Sequence, residues 1–233
     1  MPALEHGRLF DGVSVATLID VGANRGQFSL LVRHRFPKAR IHAFEPLAPE
    51  RERLQAVVSA PLTCHPVALG ATRRQATFHV TSKRDSSSLL LPGATQQAAS
   101  GVTRTGSITV QVERLPDVLD VAALPRPILM KLDVQGGELD VIAGAASVLP
   151  LIDAIYTEVS FVTLYEQQPL ATEITTFLDQ HGFALRGVYN HFFSPGIGPT
   201  QADFLYVRSA RSPRATAASA SGEAAASLRH EHA

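Results

Sequence analysis

Cysteine is almost missing from this chain. Cys64 is the one thiol in 233 residues, and tryptophan does not occur. A single thiol closes no intrachain disulfide and builds no cysteine-based zinc cluster, a pattern that fits a reducing compartment. Net charge is missing as well, since 21 Lys and Arg balance 21 Asp and Glu. Zero net charge gives no electrostatic case for nucleic acid or an anionic membrane as the main partner. No apolar run reaches the ~18 residues of a membrane span. The opening "MPALEHGRLFDG" has no basic segment followed by an apolar stretch, so no signal peptide is expected. The chain reads as soluble and cytoplasmic. The first core strand comes so early that little chain remains for an N-terminal cap. Apolar content is ample: 45% of residues are hydrophobic and 18% charged, a globular balance that supports a sizeable core.

The apolar pattern alternates between short strands and helices. Val15–Val21 is a short apolar run, as in a strand buried on both faces. Phe28, Leu31, Val32 and Phe36 follow at helical spacing, and Pro37 ends that helix. Arg40–Pro46 reads as a second strand, Pro49–Ala60 as a helix with proline in its first turn, and Leu62–Leu69 as a third strand made irregular by Pro66. Gln75–Thr81 and Ser107–Leu115 then alternate with period two, which predicts half-exposed antiparallel strands around a mobile Ser/Gly/Thr-rich loop. Strand and helix resume with Pro127–Val134, a helical stretch through Leu149, and a strand over Leu151–Phe161. The next helix has Ile174, Phe177 and Leu178 on one face and ends at Gly182. Two late strands, "ALRGVYN" and "ADFLYVRS", flank a loop "HFFSPGIGPTQ". These units predict an α/β fold with a Rossmann-like, mostly parallel, doubly wound sheet, a late antiparallel strand and an inserted β-hairpin and loop. One domain is expected over 1–208, with its core from about residue 15. The Ala/Ser-rich 209–233 reads as a disordered tail.

In such sheets ligands sit beyond the carboxyl ends of the strands, where the strand order reverses. After the first strand, "DVGANRG" places Asp20, Gly22, Ala23, Asn24 and Gly26 there. It is neither a Walker loop, which needs G-K-[ST], nor the G-x-G-x-x-G dinucleotide fingerprint. An acid stands where a phosphate would be welcome, which suits a ligand with an ammonium or a sulfonium. Glu45, in "AFEP" with Pro46, ends the second strand about 20 residues on, where an acid commonly holds a ribose diol. Taken singly, the D-x-G of Asp20 has an alternative as a turn capping a helix, and Glu45 alone reads first as a surface acid. Together, ribose and a cationic tail without a phosphate cradle point to S-adenosylmethionine.

The stretches "IDVGANRGQFS", "HAFEP", "VALG", "SSL", "MKLDVQGGELDVIAGA" and "YTEVSF" resemble the FkbM family of S-adenosylmethionine-dependent methyltransferases, from Leu18 to about Val207. "KLDVQGGE" is similar to the family's K-I-D-V-E-G-x-E block and departs from it at Gln135, where the family carries glutamate. The early first strand suggests a shortened member. The resemblance implies the class I methyltransferase fold. It also implies methyl transfer to a hydroxyl of a sugar in a glycan, glycolipid or natural product, with a small-molecule or glycan acceptor as partner.

Methyl transfer to an alcohol is an in-line displacement that needs alignment and a base. Asp133 and Glu158 end the fourth and fifth strands and are candidates for that base, with Asp133 also near the cofactor. Lys131 lies two residues earlier on the same strand face, placed to pair with a carboxylate or acidify the acceptor. Asp133 and Glu158 are also an alternative seat for a divalent cation, but no third ligand is evident, and a metal is not favoured. Glu138 reads equally as an acceptor contact or as an acid at a helix N-terminus. His191, beside aromatics in the late loop, is a candidate base or acceptor contact. His34, His42, His65 and His79 read as structural or surface groups, and His230 and His232 fall in the tail. Tyr165 reads as an acceptor contact or a packing residue, Ser87 and Ser88 as acceptor or cofactor contacts. Val67, Ala68 and Leu69 should border the adenine by their position in a methyltransferase sheet. Two other readings stand beside this one. An NAD(P)-dependent oxidoreductase would use Glu45 on a nicotinamide ribose, although a third glycine and a Tyr-x-x-x-Lys pair are missing. A degenerate cofactor-binding module in a glycan pathway would explain Gln135.

Overall fold

The computed structural model describes residues 4–209. The expected tail 209–233, with His230 and His232, lies outside them apart from Ser209. In chain order the elements are β1 (Thr17–Val21), α1 (Gln27–Arg35), β2 (Arg40–Phe44), α2 (Ala48–Val57), β3 (Leu62–His65), β4 (Ala68–Leu69), β5 (Arg74–Thr81) and α3 (Ala94–Ser100). There follow β6 (Arg104–Glu113), α4 (Leu115–Val118), β7 (Ile128–Leu132), α5 (Glu138–Gly144), β8 (Ala154–Ser160), α6 (Ala171–Gln180), β9 (Phe183–Ser194) and β10 (Gly198–Arg208). A 3₁₀ turn over Leu4–Asp11 precedes them.

The main sheet runs β3-β2-β1-β7-β8-β10-β9. β1 pairs in parallel with β2 on one side and β7 on the other, and β10 is antiparallel to both β8 and β9. All five residues of β1 and of β7 are buried. That is the expected reading of apolar runs covered on both faces. The chain leaves β1 toward β2 and β3, then returns to lay β7 on β1's other edge. A crevice therefore opens at the carboxyl ends of β1 and β7, the usual place for a ligand in an α/β sheet. This is the α/β, Rossmann-like, doubly wound layout of class I methyltransferases, with an antiparallel late strand.

Strand alternation divides the core. Ile19, Met130 and Ile155 face one layer with Ile142 of α5 and Ile174 and Leu178 of α6. Leu18, Leu129 and Tyr156 face the other, with Phe28 and Leu31 of α1 and Leu54 of α2. Leu9 and Phe10 are buried in that second layer, so the core starts before residue 15 and the opening segment does cap the sheet.

Four local readings are corrected. Leu62–Leu69 is two strands, because Pro66 and Val67 hand the chain over to a second sheet, ordered β4-β6-β5. The expected plain loop between β5 and β6 carries α3 and a backbone pair between His79 and Ser88. β9 and β10 extend through most of the expected late loop and leave a turn around Pro195–Ile197, so His191 is an exposed strand residue. The helix after β7 is also shorter than its spacing suggested, ending at Gly144 before a 3₁₀ turn over Leu149–Leu151.

Candidate functional site

A cavity of about 1130 Å³ opens at the carboxyl end of the sheet. At one end it is walled by Gly22, Ala23, Asn24, Glu45, Pro46, Val67, Ala68 and Leu69, from the loops and strand ends after β1, β2 and β3. Lys131, Asp133, Glu158, Gln201 and Asp203 line it too, and Ser87 and Phe192 and Phe193 of β9 complete the wall.

The loop after β1 is held by its neighbours. Gly22 and Ala23 both donate backbone N–H groups to the Phe44 carbonyl, at 3.0 and 3.1 Å. Gly22, Asn24 and Gly26 all have positive φ, at 74°, 47° and 81°. Glu45 staples this loop to the next one: Oε2 accepts from Asn24 N–H at 2.9 Å and Oε1 from Leu47 N–H at 2.8 Å. Burial pushes the Glu45 carboxyl up to about 7, against the pull of those two backbone donors. Both carboxyl oxygens are thus engaged by backbone donors on a side chain that lines the cavity.

Asp20 is placed differently from the expectation. It is fully buried and does not line the cavity. Its Oδ2 accepts from Ser29 Oγ–H at 2.6 Å, and its Oδ1 has no hydrogen bond, only Lys131 Nζ at 3.5 Å. Asp20 and Lys131 are register partners on adjacent parallel strands, which is why the acid meets a resident cation instead of a ligand. Lys131 also reaches Asp133 Oδ2 at 3.4 Å and the Gly22 carbonyl at 3.3 Å. Burial disfavours the ammonium, but Asp133 and Asp20 more than offset it, so the Lys131 pKa rises and the charge is kept.

Gln135, at φ 58°, sits between the two candidate acids. Its amide donates to Asp133 Oδ1 at 2.6 Å and to Glu158 Oε2 at 3.2 Å, and its carbonyl oxygen accepts from Tyr165 Oη–H at 2.8 Å. Gln201 donates to the same Glu158 oxygen at 2.6 Å. Burial raises Glu158 well above the usual carboxylate range, and the negative neighbours Asp133 and Asp203 add to it. A glutamate at 135 would add a third carboxylate where an amide now donates to both acids.

Other anticipated residues stand behind the wall. Gly26 lets α1 approach α2, since a Cβ there would meet Leu54 Cγ at 2.9 Å. Ser88 spends its hydroxyl on the Gln135 carbonyl at 2.7 Å. Tyr165 is fully buried, its hydroxyl 2.9 Å from the Ser86 carbonyl. His191 is exposed on β9 and does not line the cavity. Glu138 is buried too and accepts backbone N–H groups of Val134 and Gly136 at 3.0 and 3.1 Å, closing the turn before α5. Burial lifts its carboxyl to about 7 despite those donors. The folded state thus holds protons on Glu45 and Glu138 that an unfolded chain releases near pH 4.5. Stability is therefore expected to fall as pH rises from about 4.5 to about 7, by up to about 1.4 kcal/mol per pH unit for each group. Urea unfolding at pH 5.5 and 7.5 checks this, and Glu138→Gln should flatten part of the slope. A slope unchanged in that variant contradicts the assignment.

His6, Gln201 and Asp203 line the cavity without any signal in the sequence. β10 runs antiparallel, so its first residues, not its last, reach the ligand end of the sheet. Gln201 and Asp203 alternate onto the same face there. Among the described residues, no three His, Cys, Asp or Glu side chains gather in a set able to hold a metal ion. No helix among them is long and apolar enough to cross a membrane.

Comparison with known proteins follows the same lines. Residues 20–185 match the methyltransferase FkbM domain. AMB antimetabolite synthetase AmbE of Pseudomonas aeruginosa is 29% identical over 72% of this chain, which spans 9% of that protein. 2-O-methyltransferase NoeI of Sinorhizobium fredii is 31% identical, covering 65% of this chain and 66% of its own length. Hexuronic acid methyltransferase AglP of Haloferax volcanii is 27% identical, covering 72% and 69%. A precorrin-6y C5,15-methyltransferase structure from Geobacter metallireducens aligns with 89% of this chain and 86% of its own, at a TM-score of 0.46 and 16% identity. The methyl donor of this enzyme class is S-adenosylmethionine, and the matched segment covers most of the chain. The chain belongs to the FkbM methyltransferase family.

Proposed function

We propose that this chain transfers a methyl group from S-adenosylmethionine to a hydroxyl of a sugar, glycolipid or natural-product acceptor. One observation carries the reading: a single cavity joins an end walled by Gly22, Glu45 and Ala68, from the loops and strand ends after β1, β2 and β3, to an end where Lys131, Asp133, Glu158 and Gln201 converge. Convergent donors and acceptors suit a polyol. The exposed rings of Phe192 and Phe193 on the same wall offer apolar faces to a sugar ring or an acyl chain. The relatives named for 2-O-methylation and for a hexuronic acid support this acceptor class. A setting in the cytoplasm, with its reducing chemistry, accords with the lone Cys64.

The residues present fit the donor. Glu45 would hold the ribose, the open backbone at Gly22 would let the amino acid tail approach, and Val67, Ala68, Leu69 and Pro46 would border the base. The bound donor supplies an electrophilic methyl on a sulfonium. The chain's own part is to orient the acceptor oxygen in line with it. Asp133 and Glu158 are placed to hold acceptor hydroxyls, and Lys131, 3.4 Å from Asp133 Oδ2, to hold that side chain in place. Ser87 is a further acceptor contact.

The test is methyl incorporation from radiolabelled S-adenosylmethionine into a panel of glycosides, glycolipids and polyketide alcohols, with calorimetric titration of S-adenosylhomocysteine and NAD alongside. Methylation at oxygen supports the reading. Binding of NAD but not S-adenosylhomocysteine overturns it. Glu45→Ala is expected to weaken S-adenosylhomocysteine roughly 10–100-fold in that titration, since hydrogen bonds to a charged group contribute about 1.5–3 kcal/mol. Unchanged affinity would remove Glu45 from the ribose site.

A further inference from the structure

Asp133 and Glu158 both face the acceptor end of the cavity, but their oxygens are not equally engaged. Asp133 Oδ1 accepts from the Gln135 amide at 2.6 Å, and its Oδ2 faces the Lys131 ammonium at 3.4 Å. Glu158 is held through one oxygen only. Its Oε2 accepts from the amides of Gln135 at 3.2 Å and Gln201 at 2.6 Å. Among the described residues the sealed, unpartnered side-chain atoms are Asp20 Oδ1 and His79 Nδ1, so Glu158 Oε1, which takes no hydrogen bond, stays open to the cavity.

The grip on Oε2 comes from two sides. Gln201 reaches it from β10, where Asp203, two residues on, is the register partner of Glu158. Gln135 reaches it from the turn after β7. Its backbone there has φ 58°, and its carbonyl accepts from Ser88 Oγ–H at 2.7 Å. The Gln135 side-chain oxygen accepts from Tyr165 Oη–H at 2.8 Å, and Gln96 Nε2 donates to that hydroxyl at 3.3 Å. The two amide hydrogens of Gln135 are thereby sent to the two acids, one each. Reversing the amide would set its oxygen against both carboxylates. A carboxylate pinned through one oxygen has its other oxygen aimed, which is what general-base chemistry on an alcohol requires.

The other ionisable groups of that end are donors or are engaged. Lys131 keeps its proton between Asp20 and Asp133. Asp203 Oδ2 accepts from Tyr156 Oη–H at 3.0 Å and from the Asn190 amide at 2.7 Å. That amide also lies 2.9 Å from His6 Nδ1, so Nδ1 accepts and Nε2 carries the proton, 3.7 Å from the exposed Glu5 carboxylate. His6 therefore offers the cavity a donor. Burial and the neighbouring acids Asp133, Asp203 and Glu138 raise the proton affinity of Glu158, with Lys131 opposing them.

We infer that Glu158 is the catalytic base, its Oε1 taking the proton of the acceptor hydroxyl, and that Gln135 is the positioning residue that aims it. The inference rests on the O-methyltransferase reading. In the step, a lone pair of the acceptor oxygen forms the new C–O bond to the methyl carbon. The electron pair of the breaking C–S bond stays on sulfur, which becomes a neutral thioether. The hydroxyl proton moves to Glu158 Oε1. The negative charge of the carboxylate and the positive charge on sulfur disappear together, and no further reactant is required. An amide at position 135 is thus a working part of this site.

Kinetics of the full chain with an acceptor from the methylation panel test this. Glu158→Gln is expected to lower kcat about 10²–10⁴-fold, with acceptor KM within about threefold and S-adenosylhomocysteine bound as before. Its deficit should shrink with a fluorinated analogue of the same acceptor, whose more acidic hydroxyl needs less help from a base. Asp133→Asn is expected to act mainly on KM. Gln135→Glu removes a donor from Glu158 and adds a negative neighbour, so the acid limb of its kcat/KM profile should move to higher pH. A kcat for Glu158→Gln within about threefold of wild type, or a deficit equal for both acceptors, overturns the role of Glu158 and leaves the methyltransferase reading intact. Turnover lost with EDTA and restored by Mg²⁺ overturns it as well, by making the two acids a cation seat. An unmoved acid limb in Gln135→Glu overturns the positioning role. Failure of the wild-type chain to methylate any hydroxyl overturns the O-methyltransferase reading, and this inference with it.

Discussion

Gly22→Ala is expected to destabilise the fold by about 3 kcal/mol or more and to weaken S-adenosylhomocysteine more than tenfold. The reason is local and geometric. Gly22 sits at φ 74°, a region side chains rarely adopt. A Cβ built there overlaps the carbonyl oxygen of Asp133 and lies 2.8 Å from its carbonyl carbon. That obstacle is backbone and cannot rotate away. β1 and β7 are hydrogen-bonded up to this point, with Asp133 N–H on the Val21 carbonyl at 3.1 Å. Relief therefore requires the two central strands to part at the ligand end. The strain at a positive φ contributes on the order of 1–3 kcal/mol, and the displaced strand ends add to it. Gly137→Ala is the comparison. Its φ is −93°, and the nearest atom to a Cβ is Val134 Cγ2 at 3.5 Å. It should melt within a few degrees of wild type. Thermal melting and calorimetry of both variants settle the point, and equal behaviour of the two would show that close strand approach at Gly22 does not shape the site.

How much of this was legible beforehand follows the reach of each signal. β1, α1, β2, β7 and α6 were readable because their apolar periods are local and their ends are marked by proline or glycine. The loop of Gly22–Gly26 and the strand-end acid Glu45 were readable for the same reason, since spacing along the chain places them at one crevice. Register is not local. Asp20 looked open to a ligand because the sequence shows an acid at a strand end and hides the lysine beside it on β7. Direction is not local either, so the late strands were seen while the residues that matter on β10 were not. Ser88, Tyr165 and Glu138 are marked by motif, and for Tyr165 and Glu138 the structure shows the packing and helix-start alternatives. Ser88 and Glu138 bond the backbone around Gln135 and Tyr165 bonds the Gln135 side chain, so together they shape the wall from behind. His6 carried no signal, because nothing in "ALEHGRLF" says that the segment folds back over Phe28 and Tyr156.

Lys131→Met is the second large effect, and it separates charge compensation from chemistry. The methionine keeps the apolar stem and removes the ammonium that now faces Asp20 at 3.5 Å and Asp133 at 3.4 Å. Asp20 is fully buried, and its Oδ1 has no hydrogen-bond donor to fall back on. Breaking a buried pair by removing one partner strands the other charge, at a cost of about 3–5 kcal/mol. For a domain of this size that corresponds to a fall in Tm of roughly 10 °C. The sign with pH follows from the same picture. An uncompensated buried carboxylate binds a proton more readily than it does in the unfolded chain. The folded variant therefore gains stability as pH falls, and its deficit against wild type should be smaller at pH 5 than at pH 8. Asp20→Asn in the Lys131→Met background removes the stranded charge and should recover at least half of the lost stability, although methyl transfer should stay low because Asp133 has still lost its cation. A double variant no more stable than the single one would mean that Lys131 acts through packing on Phe28 and not through Asp20. Recovery of stability without recovery of turnover would place the lysine in the acceptor chemistry as well as in the fold.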